Sequence, residues 1–450
     1  MSNNELLMNE KIWKLLLKFS IPAIVGMMVN ALYNVVDRIY IGWLGPLPMT
    51  GIGLSLPMMI LMMAFGMLIG IGAASRISIR LGEGRHEDAE KILGNAFTML
   101  ILIMGSVMII GLLFKEPLLY LFGASPATYE YANQYITVIL MGALFQGIGF
   151  GLNNVIRAEG NPKIAMYTML LGAMTNIILD PIFIFAFGLG IRGAAIATIL
   201  SQLVTSIWVM RYFLSGKSRL KLKKENLKPD VAIVGSIVAI GMSPFFMQVA
   251  ASLVTIISNN ALKANGGDIA IGAMTVINSL AMFFLMPIFG INQGAQPIIG
   301  FNYGAKQYHR VKEALKYAIA GGTVISTFGF IMTQFFTVTM IKMFNDDPEL
   351  LSVATVGMRT FLVMLPIIGF QIISSNYFQA VGKAPKSMFL GLLRQVIVLI
   401  PMLLILPQFF GLMGVWYAGP TADLIASLVT ALFLVIEMRH LDASHVLQTA

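Results

Sequence analysis

Residues 157–163 read Arg-Ala-Glu-Gly-Asn-Pro-Lys, and residues 379–386 read Gln-Ala-Val-Gly-Lys-Ala-Pro-Lys. The Ala-x-Gly residues of the two segments are 222 positions apart, and the Pro-Lys pairs are 223 apart after one inserted residue. The offset of 222 also matches Pro22 with Pro244. The chain is therefore predicted to consist of two copies of one structural half.

The composition is that of a membrane protein. Hydrophobic residues make up 57% of the chain and charged residues 11%, whereas a soluble domain carries about 25% charged residues. Apolar runs near or above the ~20 residues that cross a bilayer as a helix recur throughout. Twelve are found, at 12–42, 49–80, 88–114, 128–156, 162–187, 191–214, 231–262, 269–302, 310–336, 349–380, 386–408 and 412–438.

These runs predict an all-α integral membrane protein, because a membrane β-barrel would show alternating segments of about ten residues. Six spans in each half is an even number, so the two halves have the same orientation. We therefore expect twelve transmembrane helices in two six-helix lobes, related by a pseudo-two-fold axis along the membrane normal. Residues 1–215 are the predicted N-terminal lobe, 216–230 a basic cytoplasmic linker and 231–450 the C-terminal lobe.

Lysine and arginine residues are unevenly distributed between the two predicted sides of the membrane. Of the 30 basic residues, 23 fall on the side that carries both termini and five on the other. This bias predicts that both termini are cytoplasmic. The basic run 217–228 admits a nucleic-acid interpretation, but a linker at the anionic inner leaflet accounts for it better. The predicted partners are thus the lipid bilayer and small molecules, with no nucleic acid.

Polar residues within the first half point to an ion site. Asn176 and Asp180 are four residues apart and share a helix face, as do Ala194 and Thr198. At 1.5 Å per residue, Asp37 and Asp180 fall in the same outer part of the bilayer. Carboxylate, amide and hydroxyl oxygens suit Na⁺, and a buried carboxylate pair suits H⁺. An alternative for Asp37 is a water-facing helix end at which the adjacent Arg38 neutralises it.

The strongest clue to function is the order of three segments. They are the first helix ending near Asp37-Arg38, the segment 157–163, and Asn176-Ile-Ile-Leu-Asp-Pro181 followed by Gly193-Ala-Ala-Ile-Ala-Thr198. In this order and spacing the chain resembles the multidrug and toxic compound extrusion (MATE) transporters over nearly its whole length. The resemblance implies a bacterial, multi-pass protein of the cytoplasmic membrane. It would be an antiporter that exports amphipathic, cationic drugs or toxic compounds by alternating access, coupled to Na⁺ or H⁺.

The resemblance also implies roles for particular residues. The cation site is expected to consist of Asp37, Asn176, Asp180 and Thr198 with the carbonyl oxygen of Ala194. Further neighbours of the site are expected to be Asn30, Tyr33 and Asn153. Apart from the coupling ion, Na⁺ or H⁺, we expect no cofactor and no metal, and we expect a monomer without enzymatic activity.

The second half departs from the first at the acids. Asp37 aligns with Asn259 and Asp180 with Leu403. The spans of the second half contain different polar residues, namely Arg359, Arg394 and Asp423. These residues form either a structural ion pair or a contact for a cationic substrate. Pro22 and Pro244 are hinge candidates, since proline removes one helical hydrogen bond.

Other functions are weighed against the same residues. A flippase for a lipid-linked oligosaccharide or related amphiphile is the alternative, and Arg359 and Arg394 are the only candidates to bind its pyrophosphate. A membrane-embedded enzyme is disfavoured because all four histidines fall in predicted cytoplasmic segments. The absence of a GxxxxGK[ST] motif argues against ATP as the direct energy source.

Overall fold

A computed structural model describes residues 7–44, 46–122, 124–343 and 347–449. The regular structure of this part of the chain is helical. The helices of the first half are α1 (Ile12–Gly42), α2 (Pro46–Gly82), α3 (His86–Leu121), α4 (Pro126–Met141), α5 (Ala143–Ala158), α6 (Pro162–Pro181) and α7 (Gly190–Leu214). Those of the second half are α8 (Val231–Gly267), α9 (Ile269–Gly304), α10 (Tyr308–Phe335), α11 (Thr337–Lys342), α12 (Pro348–Phe361), α13 (Leu365–Ala380), α14 (Ala384–Leu392), α15 (Ile400–Phe410) and α16 (Leu412–Thr449).

The predicted membrane fold is confirmed. Within the described residues, ten helical segments are long and apolar enough to cross a bilayer. Two further spans are bent pairs: α4 and α5 meet at 54°, and α12 and α13 meet at 51°. Counting each pair once gives twelve spans. The sequence predicted 128–156 and 349–380 as one span each and did not locate either bend.

The fifth and eleventh spans contain π-helical turns, in which each amide bonds five residues back rather than four. One is Ile182–Ala186, directly after α6, and the other is Leu393–Leu399, between α14 and α15. Pro181 lacks the amide hydrogen that would bond to Ile177, which loosens the helix where the first π turn begins. Such turns are rare and are found frequently at functional sites.

The chain forms two compact units whose limits differ from the predicted lobes. The first contains Val25–Phe245, while the second contains Glu10–Ile24 together with the chain from Phe246 onwards. The chain therefore passes from one unit to the other within α1, two residues after Pro22, and within α8, one residue after Pro244. The hinge role of these prolines remains a prediction.

Glycine contacts explain why the units divide there. A Cβ on Gly241 of α8 would lie 1.8 Å from the carbonyl oxygen of Leu68, so the start of α8 packs closely against α2 in the first unit. In the second unit, a Cβ on Gly290 of α9 would lie 2.5 Å from a side-chain carbon of Ile24. Small residues permit this close approach of membrane helices.

The segment 216–230, here called the strap, is held against α3 in the first unit. The amide of Lys221 donates to Glu90 Oε1 at 3.0 Å. Asn95 Oδ1 accepts from the amide of Asp230 at 2.7 Å, and Thr98 Oγ1 donates to the carbonyl oxygen of Leu227 at 2.8 Å. The strap is thus an ordered part of the first unit rather than a free connection.

Candidate functional site

Helices α1 and α6 bring two carboxyl groups together. They are the first and fifth spans and so run in the same direction. They touch at Gly26, where a Cβ would lie 2.7 Å from the sulfur of Met169. Asp37 and Asp180 each lie 11 residues beyond that contact. Their side chains accordingly reach the same level and lie close enough to interact electrostatically.

An amide and a hydroxyl complete the predicted set. Asn176 Nδ2 donates to Asp180 Oδ1 at 3.3 Å and lies 3.5 Å from Thr198 Oγ1. Thr198 Oγ1 donates in turn to the carbonyl oxygen of Ala194 at 3.0 Å. The structure therefore brings Asn176, Asp180, Thr198 and Ala194 into one connected cluster.

Two oxygens of this cluster lack a donor. Asp180 Oδ2 and Asn176 Oδ1 are buried, and no group among the described residues donates a hydrogen bond to either. A buried acceptor left without a partner costs about 1–3 kcal/mol. Two facing carboxylates in a medium of low dielectric constant also do not both stay charged unless a proton or a cation lies between them. The chemistry of the cluster thus matches a hard cation or a shared proton.

Aromatic side chains lie on α1 and on the first π turn, next to the cluster in the sequence. Tyr33 lies within electrostatic range of both carboxyl groups. One helical turn beyond Asp37, the ring of Tyr40 meets that of Phe185 edge-on at 6.3 Å, and Trp43 lies 6.0 Å from the same ring. Phe185 belongs to the π turn that follows Asp180. These ring contacts connect the end of α1 to the π turn that follows Asp180.

The remaining predicted neighbours are placed differently. Asn153 lies five residues before the end of α5, about 8 Å from the turn that joins α5 to α6, whereas Asp180 lies 18 residues into α6, about 27 Å from that turn. Counted along the two helices, Asn153 and Asp180 thus lie at different depths, and the place of Asn153 beside the carboxyl pair stays a prediction. Asn30 is exposed on α1, and the side chain of Arg38 lies outside the described part of the structure.

The polar set of the second unit separates into two parts. Arg394 Nε donates to Asp423 Oδ1, so these residues form an ion pair between the second π turn and α16. Asp423 is buried, and no second carboxyl group pairs with it in the described structure. Arg359 lies elsewhere and donates to Thr337 Oγ1 at 3.1 Å. The geometry matches the structural interpretation of the Arg394–Asp423 pair.

Sequence reasoning missed a buried carboxyl group at Glu159, in the turn between α5 and α6. It accepts hydrogen bonds from the hydroxyl groups of Tyr212 and Ser218 and from the amide of Asn161. Burial raises the pKa of Glu159, and these hydrogen bonds offset part of that effect. The second unit has a counterpart on α16, where buried Glu437 binds two lysines, Lys383 and Lys386. The sequence signal that could have indicated Glu159 is its position as an acidic residue between Ala158 and Gly160.

Comparisons with known proteins agree with this architecture. A family model described as MatE matches residues 22–182 and 231–405. The multidrug export protein MepA of Staphylococcus aureus (strain MSSA476) is 28% identical over 442 residues, which are 97% of each chain. The solved structure of the MATE multidrug transporter DinF-BH, determined as a complex with a ligand, is 39% identical, covers 95% of this chain and 96% of its own, and has a TM-score of 0.89. A crystal structure of MATE in complex with MaL6 is 26% identical, covers 98% and 100%, and has a TM-score of 0.93.

Proposed function

Because the chain belongs to the MatE family, we propose that it is a multidrug efflux transporter that exchanges amphipathic, cationic compounds for Na⁺ or H⁺. The family relatives are export proteins and transporters, and the chain is a multi-pass membrane transporter rather than an enzyme. Its proposed location is the cytoplasmic membrane of a bacterium, with both termini in the cytoplasm, because basic residues predominate on that side.

The observation that carries the coupling proposal is the facing pair of carboxyl groups, Asp37 and Asp180. Intramembrane acids are costly and usually functional. Here two of them meet in one unit, with the donorless oxygens Asp180 Oδ2 and Asn176 Oδ1 beside them. A single carboxyl neutralised by a nearby cationic side chain would have indicated a structural ion pair, as at Arg394.

The proposed cycle uses the different positions of the two acids on their helices. Asp180 accepts a hydrogen bond from Asn176. Asp37 reaches Asp180 from α1, and the chain passes from one compact unit to the other within α1, near Pro22. Binding of the ion removes the repulsion between the carboxyl groups and favours their approach. Release of the ion favours a different packing of α1, with Pro22 as the proposed bending point. A transporter that binds the ion on one side and the drug on the other can couple their opposite movements.

The nature of the substrate follows from charge and side-chain type. Acidic groups within the membrane favour cationic over anionic compounds. The 32 methionines and 29 phenylalanines of the chain also provide adaptable apolar and aromatic contacts. The relative MepA is a multidrug export protein, and DinF-BH is a multidrug transporter whose structure was determined with a ligand bound. The flippase alternative receives little support, because Arg394 is already bound to Asp423.

Proteoliposomes test the proposal. The purified protein is reconstituted, and export of a fluorescent amphipathic cation is followed under an imposed Na⁺ gradient, an imposed pH gradient or neither. Transport driven by one gradient identifies the coupling ion. A rate that is indifferent to both gradients would reject the antiporter assignment.

A further inference from the structure

The first unit has an apolar groove on its surface, between α5 and α7. Its volume is about 620 Å³. Ile207 and Leu214, which border it, are 58% and 66% exposed within a membrane span and therefore face lipid. The apolar side chains that line the groove are Phe145, Ile148, Leu203, Ile207, Met210 and Leu214.

The length of the groove matches one leaflet of the membrane. Leu203 and Leu214 are 11 residues apart on α7, which corresponds to about 16 Å along the helix axis. The hydrocarbon core of a bilayer is about 30 Å thick, so one leaflet supplies about 15 Å. An acyl chain of one leaflet therefore fits along the groove, whereas a hydrated drug molecule gains little from its apolar walls.

Charge is present at one end of the groove only. Arg211 and Ser215 line the end from which α7 leads into the strap. The side chain of Arg211 is exposed, and no carboxylate of the described chain forms an ion pair with it. The cationic and hydroxyl donors match the phosphate of a phospholipid, and the apolar groove beside them matches its acyl chain.

The strap carries a second cationic residue, Lys217, close in sequence to the end of the groove. Gly216 adopts φ +76°, a conformation that turns the chain directly after α7. Ser218 Oγ then donates to the buried carboxyl of Glu159 at 2.6 Å, which anchors the strap directly after this turn. Lys217 lies between these two constraints and is exposed. It follows Ser215, which lines the groove, by two residues.

We propose that this groove is a binding site for one anionic phospholipid, with an acyl chain along α5 and α7 and the phosphate at Arg211 and Lys217. Basic pockets between membrane helices on the cytoplasmic side commonly bind anionic headgroups. The site is separate from the carboxyl pair and does not depend on the coupling ion. Loss of the lipid and loss of ion coupling are therefore distinguishable.

Native mass spectrometry of the purified protein in detergent tests the site. Titration with phosphatidylglycerol should show one tightly retained lipid, and titration with phosphatidylcholine should not. Arg211→Gln should weaken retention of phosphatidylglycerol about fivefold, the effect expected for one arginine at an anionic headgroup. Arg192→Gln is the matched control, since Arg192 is exposed at the other end of α7.

A second pair of variants tests the groove itself. Ile207→Trp adds bulk inside the groove and should displace the retained lipid. Ile109→Trp places the same side chain at a lipid-facing position of α3 outside the groove and should not. If Arg211→Gln does not purify as a folded protein, Lys217→Gln tests the headgroup contact instead.

Three results would overturn the proposal. One is equal retention of phosphatidylglycerol and phosphatidylcholine by the unaltered protein. Another is unchanged retention in both Arg211→Gln and Ile207→Trp. The third is displacement of the lipid by millimolar inorganic phosphate, which would identify a simple phosphate site. Transport in phosphatidylcholine liposomes is measured in parallel, because it reports on the proposed antiport independently of the groove.

Discussion

Replacement of Asp180 by asparagine should uncouple transport without unfolding the protein. Asparagine has nearly the same shape and retains one acceptor oxygen, so the contact with Asn176 can persist. It removes the charge that faces Asp37. The side chain of Asp180 is completely buried, and no described cationic side chain forms an ion pair with it. The substitution therefore leaves no partner charge stranded.

The size of the effect follows from the geometry. Two unit charges about 4 Å apart interact by about 4 kcal/mol at an effective dielectric constant of ~20. A cation between the carboxylates of Asp37 and Asp180 gains an attraction of this order from each. Removing one carboxylate should weaken its binding roughly a thousandfold. The cation-free variant should be at least as stable as the unaltered protein, since the repulsion is also gone.

Thermal unfolding and transport measure the two halves of this prediction. At a concentration of one hundred times its Kd, the coupling ion should stabilise the unaltered protein by about 2.7 kcal/mol and Asp180→Asn by almost nothing. In proteoliposomes, the variant should still exchange substrate down its gradient but should not accumulate it against one. Asp88→Asn, in the first turn of α3 and away from the carboxyl pair, is the matched control.

Two outcomes would refute the reasoning. One is uphill transport by Asp180→Asn at the rate of the unaltered protein. The other is a Tm that rises equally in the variant and the unaltered protein when Na⁺ is added or the pH is lowered. A variant that is strongly destabilised without any ion would show instead that the carboxylate has a structural partner.

Three further predictions concern packing and buried charge. Gly241→Ala places a Cβ 1.8 Å from a backbone oxygen of α2 and should lower the Tm by several degrees, whereas Gly235→Ala on the same helix, with nothing within 4 Å, should not. Asp423→Asn should reduce the free energy of unfolding by about 3–5 kcal/mol, because it leaves Arg394 without its counter-charge. The double variant Asp423→Asn with Arg394→Met should recover most of that loss. If the losses of the two single variants add up in the double variant, the ion pair is contradicted. The pKa of Glu159 is raised, so the folded state binds the proton of this carboxyl group more tightly than the unfolded state does. The stability that this proton contributes is complete below the ordinary glutamate pKa of about 4.3 and is lost as the pH rises through the folded-state pKa. The Tm of the unaltered protein relative to Glu159→Gln should accordingly fall as the pH is raised, and a constant difference would contradict the shift.

Long apolar runs made most of the fold predictable. Each run is bounded by a charged or glycine-containing turn, so the predicted spans agree with the helices to within a few residues over most of the chain. The bends were not predictable in this way. Met141 and Ala143 flank the first bend at Gly142, and the chain remains apolar across it. Hydropathy measures transfer into lipid, which a bent helix satisfies as well as a straight one.

The candidate site was predictable where helical spacing and depth sufficed. Asn176 and Asp180 share a face by their four-residue spacing, and the depth of Asp37 follows from its distance along α1. Asn153 lies outside this approach, because it was assigned from the family resemblance and not from helical spacing or depth. Glu159 was missed because its partners come from α7 and from the strap, where no periodicity indicates which side chains turn inward.

The two buried glutamates connect the turn and the last span of each half by different interactions. In the first unit the carboxylate lies in the turn, at Glu159, and receives hydrogen bonds from α7 and the strap. In the second unit the position equivalent to Glu159 is Val381, and the carboxylate lies on the last span at Glu437, with lysines in the turn. No single substitution converts one arrangement into the other. In both halves a buried carboxyl group thus links the turn to the last span, but the acidic residue lies on opposite sides of that link.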